Sequence, residues 1–354
     1  MSNTLVISHS GHQRYIQCPR EYELHYIQKL RPTSMSSALL FGTAIDKACE
    51  DYMKERTPLR AREIFKKNWR EQEHNGKLIE LTHCTEIEYR DADFDAELLL
   101  QSDNELIIKD TVYANVSSII KEGKDRERIA YANWISLYRK GILMVNKFIE
   151  WVDQNISEVL GCQIPIELED EKGNKVTGLA DFVIKVKGYD KPILVDLKTA
   201  ARYYERGSVK ESEQLSLYFF FLKEKFYPDM ERAAYLVLSK QIKKNRIKIC
   251  KQCGHDASGT NFKSCNNTSN KKRCNGDFNI TTTPESTIQY IHDEIPEEMI
   301  SKTIETFNIN VEKIQSGNFE PCFDNCLRYN GKIKCAFYEY CRTGSMEGLI
   351  KKET

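Results

Sequence analysis

The sequence predicts a mixed α/β core interrupted by two inserted pieces. Three observations lead there. Short β-rich runs separated by turn residues lie between Gln163 and Lys198, helical periodicity flanks them on both sides, and a Cys-, Gly- and Lys-rich stretch follows Ile249 that fits neither pattern. At 354 residues the chain holds about 2.4 domains' worth of sequence, and its 40% apolar content is that of an ordinary globular protein.

In chain order, Phe41 to Arg56 is a helix, because Ile45, Ala48, Cys49 and Tyr52 recur at helical spacing after Gly42-Thr43. Asp46 and Glu50, four apart, share a face beside that stripe. Residues 57–158 form a helical insertion ending in an amphipathic stretch, Arg128 to Gln154, with Tyr131, Ile135, Tyr138, Ile142, Val145, Phe148 and Val152 on one side. The acidic patch from Glu86 to Glu105 reads as a solvated face. Strands follow at Gln163–Leu168, Val176–Lys187 and Ile193–Lys198, divided by Gly173-Asn174 and Gly188-Tyr189-Asp190. Lys210 to Phe226 returns to helix, and Ala233 to Leu238 is a further strand. Arg246–Ile249 and Thr287–His292 read as two hairpin arms around the Cys-rich segment, and Pro296–Gly317 is a closing helix with Ile300, Ile304, Phe307, Val311 and Ile314 on one stripe. The core then comprises residues 1–56, 159–249 and 285–354, with a helical insertion at 57–158 and a zinc-ribbon insertion at 250–284. No internal repeat is visible.

The 52 basic and 52 acidic side chains cancel overall, but not locally. Between Ser239 and Cys274 ten basic residues face one acidic residue, so a polyanion is drawn to that segment while the rest of the surface repels it. Lys243, Lys244, Arg246, Lys271, Lys272 and Arg273 are its candidate contacts to a polyanion. The longest apolar run, Leu217 to Leu222, cannot span a bilayer, and Met1 to Ser10 lacks a secretory pattern; a cytoplasmic protein is expected. There is no phosphate-binding Gly-x-x-x-x-Gly-Lys-Ser/Thr loop, which argues against an ATP-driven motor, and no Gly-x-Ser-x-Gly or His-Glu-x-x-His motif. The seven His are dispersed and read as structural or surface residues.

Chemistry concentrates on two strands. Ala180, Phe182, Ile184 and Val186 alternate on one face, which puts Asp181 on the other, and Asp196 and Lys198 share a face because they are two apart. A carboxylate on an apolar strand is costly unless paired or bound to metal. Two of them beside a lysine suit Mg²⁺ or Mn²⁺; strand ends facing water are the plainer alternative. The context sharpens this. Gly-x-x-Asp on one strand precedes Asp-x-Lys-Thr by fifteen residues, then come Gln214 and Tyr218, four apart on a helix, with Asp46 and Glu50 upstream.

As a set these pieces resemble the RecB-like branch of the PD-(D/E)XK nuclease superfamily. The matching segments are Gly178-Leu179-Ala180-Asp181, Asp196-Leu197-Lys198-Thr199, Gln214-Leu215-Ser216-Leu217-Tyr218, Gly42-Thr43-Ala44-Ile45-Asp46, and Ser10 to Tyr26 with its Cys18-Pro19-Arg20. The resemblance implies a restriction-endonuclease-like core, a mixed sheet flanked by helices. It implies a divalent metal on Asp181 and Asp196, Lys198 orienting or activating the attacking water, and Gln214 and Tyr218 near the DNA strand. Many relatives carry a metal-binding His where Asp46 stands, so Asp46 is a candidate oxygen ligand and Glu50 its competitor. The implied activity is a metal-dependent deoxyribonuclease acting from ends or on single strands, in recombination, repair or phage DNA processing. A catalytically silent DNA-binding or scaffold protein of the same fold is the alternative, and the complete Asp181, Asp196, Lys198 set favours the enzyme.

Nine of the twelve Cys are clustered, which in a reducing compartment points to metal; Cys49, Cys84 and Cys162 stand alone and read as buried hydrophobes. Cys250, Cys253, Cys265 and Cys274 form a four-thiolate zinc set opened by Cys-x-x-Cys-Gly, with His255 as an alternative ligand. Carrying most of the positive segment, this ribbon is expected to contact DNA phosphates, or to recruit a replication or recombination protein. In several relatives one Cys of the Cys-Pro motif joins three near the C-terminus to hold a [4Fe-4S] cluster. Here that resemblance assigns Cys18 with Cys326, Cys335 and Cys341. Cys322 is a fifth candidate, and a second zinc on Cys322, Cys326, Cys335 and Cys341 is the rival.

Overall fold

The computed structural model describes residues 4–33, 37–74, 77–80, 126–258, 260–269, 272–328 and 333–352. The acidic patch Glu86–Glu105, Cys84, Lys271 and the side chains of Tyr131, Ile135, Lys244 and Lys272 lie outside them.

The chain opens with β1 (Val6–Ser8) and α1 (His9–Gln17), where the Ser8 hydroxyl accepts the Gly11 N–H and so caps the helix. Pro19 starts α2 (Pro19–Tyr22), a π-helical turn covers Glu23–Ile27, and β2 (Leu30–Pro32) leads to α3 (Ser37–Glu55) and α4 (Pro58–Arg70). A hairpin of β3 (Glu71–His74) and β4 (Lys77–Glu80) interrupts the stretch expected to be helical. The long α5 (Arg126–Asn155) runs directly into β5 (Ile156–Glu169), followed by β6 (Lys175–Val186) and β7 (Tyr189–Ala200). Ser212 caps α6 (Glu213–Lys225), and β8 (Arg232–Ser239) comes next. The cysteine-rich region holds β9 (Lys243–Cys250), β10 (Thr268–Ser269), β11 (Lys272–Arg273) and β12 (Phe278–Glu285). The chain closes with β13 (Ile288–Glu294), α7 (Glu297–Gln315), β14 (Leu327–Arg328), β15 (Ile333–Lys334), α8 (Tyr338–Thr343) and β16 (Leu349–Lys351).

One mixed sheet of six strands organises the molecule, in the order β1-β6-β7-β8-β13, with β5 along the other edge of β6. β5 pairs antiparallel with nearly all of β6. The opposite edge of β6 is divided: Lys175–Thr177 pair in parallel with β1, while Phe182–Val186 pair antiparallel with β7. β7 meanwhile stays paired with β8 through Ala200. The sheet therefore forks at Asp181, and the far half of β7 has a free edge toward the first half of β6.

Each sheet face carries its own core. α3, α4 and α5 bury Phe41, Phe65, Trp69, Tyr138 and Phe148 against Phe182, Ile193, Val195 and Leu197. α1, α6 and α7 cover the other face, packing Leu215, Phe219, Phe307 and Val311 against Val183, Leu194, Ala233 and Val237. Each fully buried aliphatic or aromatic side chain contributes about 1.5–3 kcal/mol, so the two layers fix the sheet between them. The chain ends are tied by β2 pairing with β16 over a small cluster of Leu24, Leu30, Phe337 and Leu349.

Three sequence expectations need correction. β5 begins at Ile156, seven residues before Gln163, because the exposed Ser157-Glu158 pair hides its start from a periodicity argument. The hairpin partner of β9 is β12, not Thr287–His292; that segment, as β13, instead completes the main sheet against the buried β8. Finally, Ala180 belongs to one core and Phe182 with Ile184 to the other, so the even residues of β6 change face at Asp181. Among the described residues no helix is long and apolar enough to cross a membrane.

Candidate active site and cysteine centres

The fork is where the catalytic candidates meet. Beyond Val195 the β7 backbone no longer pairs with β6, and the freed Leu197 N–H donates to Asp181 Oδ2 at 2.8 Å. Asp196 follows Leu194 on the α6 side of β7, and only 4% of it is exposed. Lys198, two residues on, places Nζ 2.7 Å from Asp196 Oδ2 and donates to Gln214 Oε1 at 3.3 Å. The Asp196 contact is an ion pair by distance, yet that oxygen is fully buried and lacks an aligned hydrogen bond. Asp46 belongs to α3, which packs on the opposite face, and is close enough to feel Asp181, Lys198 and Asp196.

The charges do not balance by themselves. Burial, then the neighbouring Asp196, raises the Asp181 carboxyl to about 7. Asp46 is likewise raised to about 7 by desolvation and then by Asp181; its side chain still touches solvent in the cleft, so its shift is the softer of the two. Asp196 is raised by burial, against the pull of Lys198. Burial opposes the charge on Lys198, but Asp196 and Asp181 outweigh it and hold the ammonium above its ordinary range. Asp181 and Asp196 share Lys198, and Asp46 feels Lys198 and Lys240; three carboxyls against two lysines form a donor set that a hard divalent cation would complete. Glu50 is turned elsewhere: it pairs with Lys54, and the Cys162 thiol reaches only its backbone oxygen.

Gln214 and Tyr218 project from α6 toward the first half of β6. Tyr218, its hydroxyl raised by burial, faces Gln214 and the Leu179 backbone. Gly178 makes this possible, since a Cβ there would stand 2.3 Å from the Tyr218 hydroxyl oxygen. In front lies a cavity of about 560 Å³ lined by His9, Ser10, Leu179, Lys198, Gln214 and Tyr218.

His9 is the site residue that sequence reasoning missed. It heads α1, meets the Tyr218 ring edge-on with centroids 5.9 Å apart, and keeps a buried, unpartnered Nε2. Burial, then His12 and Lys198, lowers its pKa to about 4, so it is a neutral imidazole at physiological pH. Its one available signal was its place just before Ser10 in the matching N-terminal segment. His12 fits the structural expectation, buried and bonded to Asn310 at 3.1 Å.

The antiparallel β9–β12 hairpin forms a stalk for the cysteine-rich tip. There Cys250, Cys253, Cys265 and Cys274 bring their sulfurs within 4.8 Å of one another. The Cys250–Cys274 and Cys253–Cys265 sulfur pairs are 3.6 Å apart, close to the roughly 3.8 Å edge of a tetrahedron with metal–sulfur bonds of ~2.3 Å. Gly254 at φ +69° and Asn275 at φ +54° turn the chain just after Cys253 and Cys274. The His255 backbone N–H lowers the Cys253 pKa, while its imidazole is not in the group. Lys243, Arg246 and Arg273 are exposed, whereas Lys248 is spent internally on the Thr260 and Phe262 carbonyls.

Cys18, Cys326, Cys335 and Cys341 also converge, although Cys18 and the Cys322–Cys341 region lie at opposite chain ends. Burial raises the Cys326, Cys335 and Cys341 thiols, and each also feels Cys18. The Cys322 N–H donates to the Cys18 sulfur at 3.4 Å, and Cys326 feels the Cys322 thiol as well, so Cys322 stays beside the group. Among the described residues the Cys250 set alone closes to 4.8 Å.

A forked mixed sheet with carboxylates and a lysine at the branch point defines a class of metal-dependent phosphodiester hydrolases. The family model for the PD-(D/E)XK nuclease superfamily matches residues 6–342, and the chain belongs to that superfamily. No curated protein matches the chain.

Proposed function

We propose that the protein is a Mg²⁺- or Mn²⁺-dependent deoxyribonuclease of the RecB-like branch, acting from ends or on single strands in recombination, repair or phage DNA processing. The observation that carries this reading is the convergence of Asp181, Asp196 and Lys198 at the fork with more carboxylate than the lysine can neutralise. Asp181, Asp196 and Asp46 would hold the cation; Glu50, committed to Lys54, is the less suitable ligand. A divalent ion there supplies a water of lowered pKa and offsets charge developing on the phosphate. Lys198 orients the attacking water and donates toward the phosphate. Gln214 and Tyr218, with the cavity in front of them, grip the strand.

The ribbon takes zinc, as its tetrahedral thiol spacing supports, and its exposed Lys243, Arg246 and Arg273, with Lys244, Lys271 and Lys272, hold DNA phosphates. A recombination or replication protein is a second partner for this tip. Cys18, Cys326, Cys335 and Cys341 hold a [4Fe-4S] cluster, whose several irons separate the thiolates more widely than one ion does. No ATP is used.

Labelled linear and circular DNA, single- and double-stranded, incubated with Mg²⁺, Mn²⁺ or EDTA, tests the reading. Metal-dependent loss of the linear substrates with the circles spared supports an end-directed nuclease. No cleavage of any substrate, with DNA binding retained, supports the silent scaffold.

A further inference from the structure

We propose that Gln163 is the positioning residue for Asp181, resting on the metal-nuclease reading above. Gln163 lies across from Asp181 in the β5–β6 ladder, between the pairs Cys162↔Phe182 and Ile164↔Ala180. Its φ is +52°, a left-handed conformation in the interior of a 14-residue strand. The other non-glycine residues of positive φ among the described residues, Lys29, Arg56 and Asn275, all lie outside strands. Left-handed backbone is unfavourable for any residue with a Cβ, and such conformations persist where the surroundings over-determine them.

At this point both strands change face together. Ile164 and Ala180 pack into the core beneath α6, whereas Cys162 and Phe182 pack into the core beneath α3. Residues two apart on a regular strand share a face, so the chain has rotated by half a turn at the Gln163–Asp181 level. That rotation takes Asp181 out of both apolar layers and into the fork.

The Gln163 side chain then completes the arrangement. Its Nε2 donates to Asp181 Oδ1 at 3.4 Å, while the Leu197 N–H donates to Oδ2 at 2.8 Å. Each oxygen is thus tethered to a different neighbouring strand, which fixes the rotation of the carboxylate plane. A carboxylate has about four lone-pair sites, so two donors leave room for a cation. Gly or Asn would adopt the same backbone more readily; Gln adds an amide long enough to span the two strands.

Gln163→Gly separates backbone from side chain, because it keeps the left-handed turn and deletes the amide. In the full chain with its zinc and iron, Mn²⁺ binding measured by calorimetry should weaken roughly tenfold, the low end for partners that orient a metal ligand. The thermal midpoint should stay equal or rise, and the Mn²⁺ concentration giving half-maximal cleavage should move up by the same factor. Gln163→Asn, with a shorter amide and a tolerated backbone, should melt like the parent and bind Mn²⁺ with intermediate affinity; it decides the matter if the Gly variant does not fold. Folded variants whose Mn²⁺ affinity stays within about twofold of the parent would overturn the positioning role and leave the nuclease reading intact. A parent that binds no Mn²⁺ would overturn both.

Discussion

A methyl group on Gly178 would collide with the Tyr218 hydroxyl, and β6 has no freedom to retreat because β1 and β5 hold it from both edges. Gly178→Ala should therefore swing Tyr218 out of the cavity at a cost of about 1–3 kcal/mol, as overpacking does. Urea unfolding and cleavage assays on the same preparation check this: stability and turnover fall while Mn²⁺ binding holds. An Ala variant indistinguishable from the parent would mean that Tyr218 is not fixed by this contact. At this scale part was legible. Asp196 and Lys198 are two apart on β7 and meet as that spacing requires, and Gln214 and Tyr218, four apart on α6, line one cavity; their roles rest on the resemblance, and the alternation used to place Asp181 breaks at Asp181 itself. His9 and Gln163 were not legible. His9 matters only through Tyr218 and Lys198, which are remote in sequence, and the role of Gln163 depends on a backbone angle that no residue type announces.

The β9–β12 stalk carries the ribbon as one element, and the sequence misassigned one arm of it. Thr281 to Thr283 of β12 fall inside the 250–284 segment read as the ribbon, which left Thr287–His292 as the second arm; that segment, as β13, pairs instead with the buried β8. Replacing Lys271, Lys272 and Arg273 by Ala should weaken DNA binding and flatten its dependence on log salt by roughly 0.7–0.9 for each phosphate no longer neutralised. An unchanged slope in a salt titration of binding would move the ribbon's role to protein partners. The proposed cysteine staple would join different elements, Cys18 between α1 and α2 and the segment from Cys322 to α8. Cys18→Ser should lose about four irons per chain, keep the ribbon's single zinc, and expose both termini to protease. Metal analysis of anaerobic protein that returned two zincs and no iron would contradict the cluster.

For the whole molecule, the order of helix, strands and helix sufficed to predict a mixed core, because each face of the sheet must be covered by an amphipathic layer. The fork itself was not legible: it arises where β1 and β7 share one edge of β6, a long-range arrangement with no local signature. The fork concentrates carboxylates, and this makes global stability depend on pH. Asp46 and Asp181 titrate near 7 in the folded chain against about 4 when unfolded, so the folded state binds more protons between those values. Stability of the protein without divalent cation should fall as pH rises from about 4 to 7, the larger share coming from the more deeply buried Asp181. Saturating Mn²⁺ should remove the slope, and Asp181→Asn should flatten it without metal. A thermal midpoint that rises across that range would reverse the sign of this account.

Single-turnover cleavage of end-labelled DNA by the parent, Asp196→Ala and Lys198→Ala, with binding measured in parallel, tests the central claim most directly. Both substitutions remove groups that act on the transition state at the fork, so each should lower the rate by about 10²-fold or more while folding and DNA affinity remain. Cleavage by either folded variant within about tenfold of the parent would place the chemistry somewhere other than the fork.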